Sequence, residues 1–142
     1  MIRVRHIIAH RSAPFILDAE MTAGEASRFL LEHHIGGAPV TKKGELVGFC
    51  SERDIVYRVV AKNCDPEVTR VSEIMSSNVL SGTPNDTATE CEDRMRKRHV
   101  RHMPIVENGK IVACISFRNL LQSELNEYKL EVESLTEYIR GS

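Results

Sequence analysis

The chain has 142 residues, of which 42% are hydrophobic and 27% are charged, and its net charge at pH 7 is −1. These values are ordinary for a soluble globular protein, and the near-zero charge gives no global field that would draw it to DNA or to an acidic membrane. No apolar run reaches the roughly 18 residues of a membrane-spanning helix. Residues 1–8 lack the pattern of a secretory signal peptide.

The first half of the chain predicts a helix over residues 22–34, where apolar residues recur near helical spacing. Thr22 and Glu25 have the spacing of a capping box at its start. The apolar runs 38–40 and 46–50 flank a short glycine-containing turn and predict a β-hairpin. The helix and the hairpin therefore follow each other closely.

Residues 52–60 predict a second helix, and the polar, proline-containing stretch 63–69 indicates a linker. The same order of elements returns beyond the linker. Thr87 and Glu90 repeat the capping box, and Asn108-Gly109 is a strong hairpin turn because both residues tolerate positive φ.

The two halves align without a gap at an offset of 65 residues, the separation of Pro39 and Pro104. Identical pairs at this offset include Thr22 and Thr87, Glu25 and Glu90, His34 and His99, Gly44 and Gly109, Ser51 and Ser116, and Arg53 and Arg118. The chain is therefore predicted to hold two copies of a strand–helix–strand–strand–helix unit. Because one unit of about 60 residues buries little surface alone, we expect the copies to pack together.

Four free cysteines are predicted, because none of them forms a C-x-x-C pair. Cys50, Cys91 and Cys114 lie in apolar-periodic segments, where cysteine usually acts as a small buried hydrophobic residue. Cys64 lies in a polar loop and is the exposed candidate. This usage indicates a reducing setting, so we expect a cytoplasmic protein.

Residues 48–55, Gly-Phe-Cys-Ser-Glu-Arg-Asp-Ile, resemble the ligand motif of cystathionine β-synthase (CBS) domains, as does the Gly-Ala-Pro-Val strand at 37–40. Residues 101–106 and 115–120 are similar to the same motif, and 71–75 resemble the segment that opens such a repeat. The resemblance spans about 120 residues, from Val4 into the second repeat's last helix.

The resemblance implies an α/β (α+β) fold in which two CBS repeats, each β-α-β-β-α, pack with pseudo-two-fold symmetry. The first repeat would occupy residues 1–65 and the second 66–123, with a C-terminal helix over 124–142. CBS pairs, called Bateman modules, bind adenosine-type ligands such as AMP, ADP, ATP, S-adenosylmethionine or NAD between the repeats. The family commonly forms disc-shaped dimers.

The function that the resemblance implies is regulatory, with an adenine nucleotide as regulatory ligand, no obligatory cofactor and no catalysis. The signal would pass to a protein target that the sequence does not identify. The ligand-binding positions carried over from the family are Gly37, Ala38, Pro39, Ser51, Arg53, Asp54, Arg101, His102, Met103, Pro104, Ser116 and Asn119.

Ser51 and Asp54 lie where a predicted strand meets a helix N-terminus, a place that favours an anionic ligand. A carboxylate can accept hydrogen bonds from both hydroxyls of a ribose. The alternative is that Ser51 caps the helix and Asp54 is its capping partner; the repeat favours ligand binding. The second copy has Asn119 instead of aspartate and Ala113 instead of Gly48, so we expect the Asp54 cleft to be the principal site.

Residues 94–102 form the most basic stretch of the chain. In the family, the positions of Arg101 and His102 often contact phosphate, whereas the alternative is a solvated helix face. Nucleic-acid binding through 94–101 is a rival function, which the low aromatic content of 5% and the absence of tryptophan make less favoured.

Metal binding and catalysis are not predicted. The histidine pairs His6/His10 and His99/His102 lack the further ligands of a zinc site. No P-loop, dinucleotide or nucleophile-elbow motif occurs, and no nucleophile–base pair is evident. A structural dimerisation module with empty clefts is a further alternative to nucleotide sensing.

The C-terminal segment predicts a long helix with one apolar seam. The seam residues are spaced alternately by four and three, and they are Leu121, Leu125, Tyr128, Val132, Leu135 and Ile139. Such a seam of nearly three heptads is typical of a helix that pairs with another helix. We expect this helix to extend from the second repeat and to contact a partner chain in a homodimer; packing on its own domain is the alternative.

Overall fold

The computed structural model describes residues 1–141, and its element order follows the predicted repeat. The first repeat contains β1 (Leu17–Asp18), α2 (Ala23–His33), β2 (Gly37–Lys42), β3 (Glu45–Ser51), α3 (Glu52–Ile55) and a π-helical segment (Val56–Val60). The second contains α5 (Ala88–Arg98), β4 (His102–Glu107), β5 (Lys110–Ser116) and α6 (Phe117–Gly141). Two short helices, α1 (Val4–Ile8) and α4 (Val71–Ile74), precede the repeats in sequence.

The two hairpins have the turn chemistry that the sequence predicts. Lys43 and Gly44 have φ of 52° and 82°, and Asn108 and Gly109 have φ of 53° and 76°. Positive φ at both central residues is the geometry of the turns that match the twist of paired strands. Each hairpin also has a register irregularity at the same place, between Val40 and Thr41 and between Ile105 and Val106.

The opening strand of the repeat is short in both copies. In the first copy, Leu17 and Asp18 pair in parallel with Val40 and Thr41. In the second copy, the predicted strand is reduced to one parallel bridge between Gly82 and Ile105. Gly82 has no side chain to pack into the core, which weakens a strand at that position.

The first helix of each repeat begins and ends in the same way. Thr22 and Thr87 each accept a hydrogen bond at 3.1 Å from the backbone N–H three residues ahead, which confirms both as N-caps. The full capping box forms only at Thr87, whose N–H donates to Glu90 Oε2 at 3.2 Å; at Thr22 the hydroxyl, not the backbone N–H, donates to Glu25 Oε1 at 3.2 Å. His34 and His99 end the helices in the left-handed conformation, with φ of 53° and 54°. A strand begins three residues after each histidine, at Gly37 and at His102.

The short helices α1 and α4 are exchanged between the two cores. Val71 and Ile74 of α4 lie in the core of the first repeat, with Leu17, Ala26 and Val40. Conversely, α1 packs on the second repeat, and its Val4 joins the core that includes Met95, Met103, Ile105, Ile115 and Leu120. The predicted boundary near residue 65 therefore divides the sequence repeat, whereas the packing crosses that boundary twice.

The final helix, α6, is continuous with the second repeat, as predicted. Leu120 in its first turn is buried in the second core, and the side chains from Tyr128 onward are exposed. Ser142 lies outside the described residues. Within residues 1–141, no helix combines the length and hydrophobicity needed to cross a bilayer.

An acidic pair lies where α6 packs on α5. Glu92 is only 6% exposed, and its Oε1 atom has no hydrogen-bond partner within residues 1–141. Burial, together with the hydrogen bond and charge of Glu124, raises the pKa of Glu92 to about 7. Because this pKa exceeds the value of 4.5 for an unperturbed glutamate, the folded protein holds a proton there that the unfolded chain releases as the pH rises.

We therefore expect the stability of the protein to fall between about pH 4.5 and pH 7 and to remain lower above pH 7. Glu92→Gln should raise the melting temperature at pH 8 and change it little at pH 4.5. Thermal denaturation at the two pH values tests this, with the exposed Glu131→Gln as a control for the lost charge. An equal effect of Glu92→Gln at both pH values would contradict the prediction.

Candidate functional site

The sequence pairs Ser51–Asp54 and Ser116–Asn119 form the same cap at two helix N-termini. The Ser51 backbone N–H donates to Asp54 Oδ2 at 2.9 Å, and the Asp54 backbone N–H donates to Ser51 Oγ at 3.2 Å. The corresponding distances for Ser116 and Asn119 are both 3.0 Å. The capping-box alternative is therefore confirmed, and the question is whether the same residues also face an open cleft.

They do, because each cap opens into a cleft between the repeats. The first, here named the Asp54 cleft, has a volume of about 310 Å³. It is lined by Gly36, Phe49, Ser51, Glu52, Arg53, Asp54, Ser76, Asn78, Val79, Leu80, His99, Val100, Arg101 and His102. The Asp54 cap of the first repeat thus shares this cleft with Arg101 and His102, at the start of β4 in the second repeat.

The second, here named the Asn119 cleft, is its pseudo-symmetric counterpart. Its volume is about 610 Å³. Residues 34–37 occupy the place that 99–102 occupy in the Asp54 cleft, at the same offset of 65 residues. Residues 10–15, which form one wall, lie in the segment between α1 and β1. From the start of α1 to the start of β1 the chain takes residues 4–17, whereas the equivalent segment of the second repeat, from the start of α4 to Gly82, takes the shorter stretch 71–82. Smaller side chains also line the Asn119 cleft, since Gly36, Gly37 and Cys114 stand where the Asp54 cleft has Arg101, His102 and Phe49.

The two caps differ in the oxygen atoms they leave for a ligand. Asp54 uses Oδ2 for the cap, and its Oδ1 lies 3.9 Å from an Arg58 guanidinium nitrogen, with 13% of the side chain exposed. Asn119 has one oxygen, which already accepts from the Ser116 N–H at 3.0 Å and from Arg11 at 3.3 Å. Asp54 therefore keeps acceptor capacity toward its cleft, whereas Asn119 presents an amide donor.

A stacked pair of rings separates the two clefts. Phe49 and His102 lie with ring centroids 5.5 Å apart and planes 19° apart, and His102 lines both clefts. Burial and the charge of Arg101 lower the pKa of His102, while Glu52 opposes them. Gly37 leaves room for this stack, since a Cβ there would come within 2.7 Å of Phe49 Cε1.

Phe49 was not among the residues predicted to bind a ligand. Its membership of the 48–55 motif, as the one aromatic side chain in β3, is the signal that points to it. The stack with His102 depends on the packing of one repeat on the other, which no local pattern encodes.

The predicted site residues fall into three groups. Those that line the Asp54 cleft are Ser51, Arg53, Asp54, Arg101 and His102. Those that line the Asn119 cleft are Gly37, Pro39, His102, Ser116 and Asn119. The remaining three, Ala38, Met103 and Pro104, are buried in the interior and are absent from the linings of both clefts.

The basic side chains of the stretch 94–102 make different contacts. Arg94 forms an ion pair with Asp86 at 2.6 Å, Lys97 pairs with Asp93 at 3.3 Å, and Arg98 donates to the Asn78 carbonyl at 2.8 Å. Arg101 lies in the Asp54 cleft instead. The stretch therefore does not form one continuous basic surface, which weighs against the nucleic-acid alternative.

The cysteines are free, as predicted. Cys50 and Cys91 are buried, Cys114 is partly buried and Cys64 is exposed. Burial raises the pKa of Cys50 and of Cys114 to about 12, so both thiols stay protonated at neutral pH. In the part of the chain that is described, no three acidic, histidine or cysteine side chains cluster as metal ligands would.

Two α/β repeats related by a pseudo-two-fold, with a cleft on either side of a shared wall, define a tandem-repeat module. The family model for the CBS domain matches residues 4–61 and 71–126. The chain belongs to the CBS-domain family, and its fold is that of a tandem CBS pair.

Individual proteins similar to this chain in sequence or in structure are also CBS-domain proteins. CBS domain-containing protein YhcV of Bacillus subtilis (strain 168) is 31% identical over 105 residues, which are 74% of this chain and 74% of that protein. The CBS-domain containing protein ATU1752 from Agrobacterium tumefaciens has a TM-score of 0.77 and 27% identity, and the match covers 86% of this chain and 98% of the ATU1752 chain. CBS domain protein PAE2072 from Pyrobaculum aerophilum, solved in complex with AMP, has a TM-score of 0.74 and 27% identity. The match covers 83% of this chain and 89% of the PAE2072 chain.

Proposed function

We propose that the chain is a regulatory, non-catalytic module that binds an adenine nucleotide in the Asp54 cleft. The observation that carries the proposal is the composition of this cleft. The carboxylate of Asp54 comes from one repeat and the guanidinium of Arg101 from the other, so the cleft offers an acceptor for sugar hydroxyls and a cation for phosphate. The AMP complex of the Pyrobaculum relative, at 27% identity, supports the ligand class.

Each part of a nucleotide has a partner in this arrangement. A ribose cis-diol would donate to the free acceptor capacity of Asp54. A phosphate would lie near Arg101, whose planar guanidinium suits phosphate oxygens. The adenine ring would lie against apolar and aromatic lining, in which Val79, Leu80 and Val100 take part.

Regulation would follow from the position of the ligand between the repeats. A nucleotide held by Asp54 and Arg101 bridges the two repeats and favours the packing in which both reach it. Its effect is limited by its differential affinity for the two packings. We propose that a cytoplasmic protein partner recognises this change in the packing of the repeats, and that the module acts as a homodimer.

A thermal-shift screen of adenosine, AMP, ADP, ATP, NAD and S-adenosylmethionine tests the proposal on the wild-type chain. A ligand present at 100 times its Kd should stabilise the protein by about 2.7 kcal/mol. A stabilisation by at least one of these compounds, confirmed by calorimetry at one site per chain, is the expected result. If none of them shifts the melting temperature at millimolar concentration, the structural dimerisation module with empty clefts is the better description.

The phosphate contact makes a separate prediction. Arg101→Gln should weaken AMP binding roughly 10- to 100-fold, because hydrogen bonds to charged groups contribute about 1.5–3 kcal/mol. The affinity for adenosine, which has no phosphate, should stay the same. Isothermal titration calorimetry with both ligands measures this, and Lys97→Gln is the control because it removes the same charge outside the cleft. An equal loss of affinity for adenosine would show that Arg101 shapes the cleft rather than binding phosphate.

A further inference from the structure

The last part of α6 extends beyond the second repeat with all of its side chains exposed. From Tyr128 to Gly141 every residue is exposed, over a length of about 21 Å at 1.5 Å per residue. The exposed apolar side chains in this part have exposures from 61% to 77%, and all but Leu130 and Tyr138 lie on the seam; they are Tyr128, Leu130, Val132, Leu135, Tyr138 and Ile139. Because a helix of this length is marginal in water without packing partners, the exposed seam indicates a missing contact.

The residue types along the seam specify the kind of contact. Spacing assigns Leu125 and Val132 to heptad position a, and Leu121, Tyr128 and Leu135 to position d. Ile139 occupies the next a position. In coiled coils, β-branched residues at a combined with leucine at d favour two parallel strands. Val132 and Ile139 at a follow this rule, as do Leu121 and Leu135 at d, whereas Leu125 and Tyr128 do not.

The charges beside the seam favour the same orientation. Glu124 and Glu131 occupy position g, and Lys129 and Thr136 occupy position e. In a parallel pair, g of one helix faces the following e of the other, so Glu124 would face Lys129 of the partner subunit. In an antiparallel pair, g positions face each other, and the acidic residues would be brought together.

Glu124, at the base of α6, is an acidic residue to which this arrangement would bring a cation. Glu124 accepts a hydrogen bond from Thr89 Oγ1 at 3.2 Å, and the neighbouring Glu92 is buried. Within residues 1–141 no cation pairs with either carboxylate in an ion pair of 4.0 Å or less. We infer that the partner is a second copy of this chain, and that the two α6 helices form a parallel two-stranded coiled coil.

This assignment is independent of nucleotide binding. It goes beyond a homodimer of unspecified arrangement, because parallel α6 helices place the two modules on the same end of the coiled coil.

Cysteine cross-linking distinguishes parallel from antiparallel pairing in the full chain, in a Cys64→Ser background that removes the exposed native thiol. Tyr128→Cys and Leu135→Cys, made separately, should each give a disulfide-linked dimer under mild oxidation. The two positions are about 10 Å apart along the helix, so in an antiparallel pair at most one of them can face the same residue of the partner helix. Glu133→Cys, on the outer side of the helix, is the control and should cross-link at least about tenfold more slowly. Self-linking at one position only, or at neither, would overturn the assignment.

Light scattering with Leu135→Lys tests the seam itself. Burial of a leucine contributes about 1.5–3 kcal/mol and the dimer contains two copies, so the dimer dissociation constant should rise at least about 100-fold. Glu133→Lys adds a lysine on the outer side and should leave the dissociation constant unchanged. Circular dichroism shows whether each variant remains folded. A wild-type chain that is monomeric at every concentration measured, or a Leu135→Lys variant that dimerises like the wild type, would overturn the inference.

Discussion

Asp54→Asn is expected to weaken AMP binding roughly 10- to 100-fold without disturbing the fold. The reason the fold survives is visible in the second repeat, where Asn119 forms the same cap with both hydrogen bonds at 3.0 Å. The reason binding weakens is that the remaining amide oxygen is used by the cap, so the ribose hydroxyls lose a charged acceptor. Hydrogen bonds to charged groups are worth about 1.5–3 kcal/mol.

Calorimetry of AMP and 2′-deoxy-AMP with wild type and variant measures this effect. The wild-type chain should discriminate strongly against the deoxy ligand, and Asp54→Asn should largely lose that discrimination. Asn119→Ala is the matched control, because it alters the equivalent cap in the other cleft and should leave AMP affinity at the Asp54 cleft unchanged. An Asp54→Asn protein that binds AMP as tightly as the wild type would refute the assigned role of the carboxylate.

Gly48→Val is expected to be the most destabilising of the substitutions considered, by about 3 kcal/mol or more. A Cβ at Gly48 would collide with Met75 Sδ and come within 2.9 Å of the Ser76 carbonyl oxygen, which is backbone. Ser76 and Phe49 are joined there by two backbone hydrogen bonds of 2.9 Å. A side chain at residue 48 would therefore separate β3 from the segment that forms one wall of the Asp54 cleft.

Urea denaturation measures the loss of stability, and the same samples show weaker AMP binding if the wall moves. Ala113→Val is the comparison, since it places the same valine side chain at the equivalent position of the second repeat. There, within residues 1–141, no backbone bridge joins Cys114 to the loop at 10–15. Met75→Ala combined with Gly48→Val should recover only part of the stability, because the Ser76 carbonyl stays in place. If Gly48→Val cost no more than Ala113→Val, the close approach would not be the reason for the glycine.

Local features were predictable because local chemistry determines them. The caps at Thr22 and Thr87, the hairpin turn at Asn108-Gly109 and the extension of α6 from the second repeat all follow from residue spacing and φ preferences. The repeat offset of 65 residues also predicted that two similar units would pack together, as they do.

Features that depend on how one repeat meets the other were not predictable. Val4 and Val71 stand in similar apolar segments, so the sequence does not say which core each one enters, and the structure exchanges them. The meeting of Asp54 with Arg101 in one cleft and the stacking of Phe49 on His102 arise in the same way. Ala113 was noted as a departure from Gly48, but its consequence became clear only from the approach of Ser76 to β3.

The exchange of α1 and α4 has a consequence for biosynthesis. Val4 is translated long before the other buried residues of the core that it completes, which lie between Ala88 and Leu120, so α1 must wait for them before it can pack. The first repeat, in turn, lacks Val71 and Ile74 until the linker has emerged. Co-translational folding of an isolated first half is therefore disfavoured, and native contacts of such long sequence separation slow the search for the final structure.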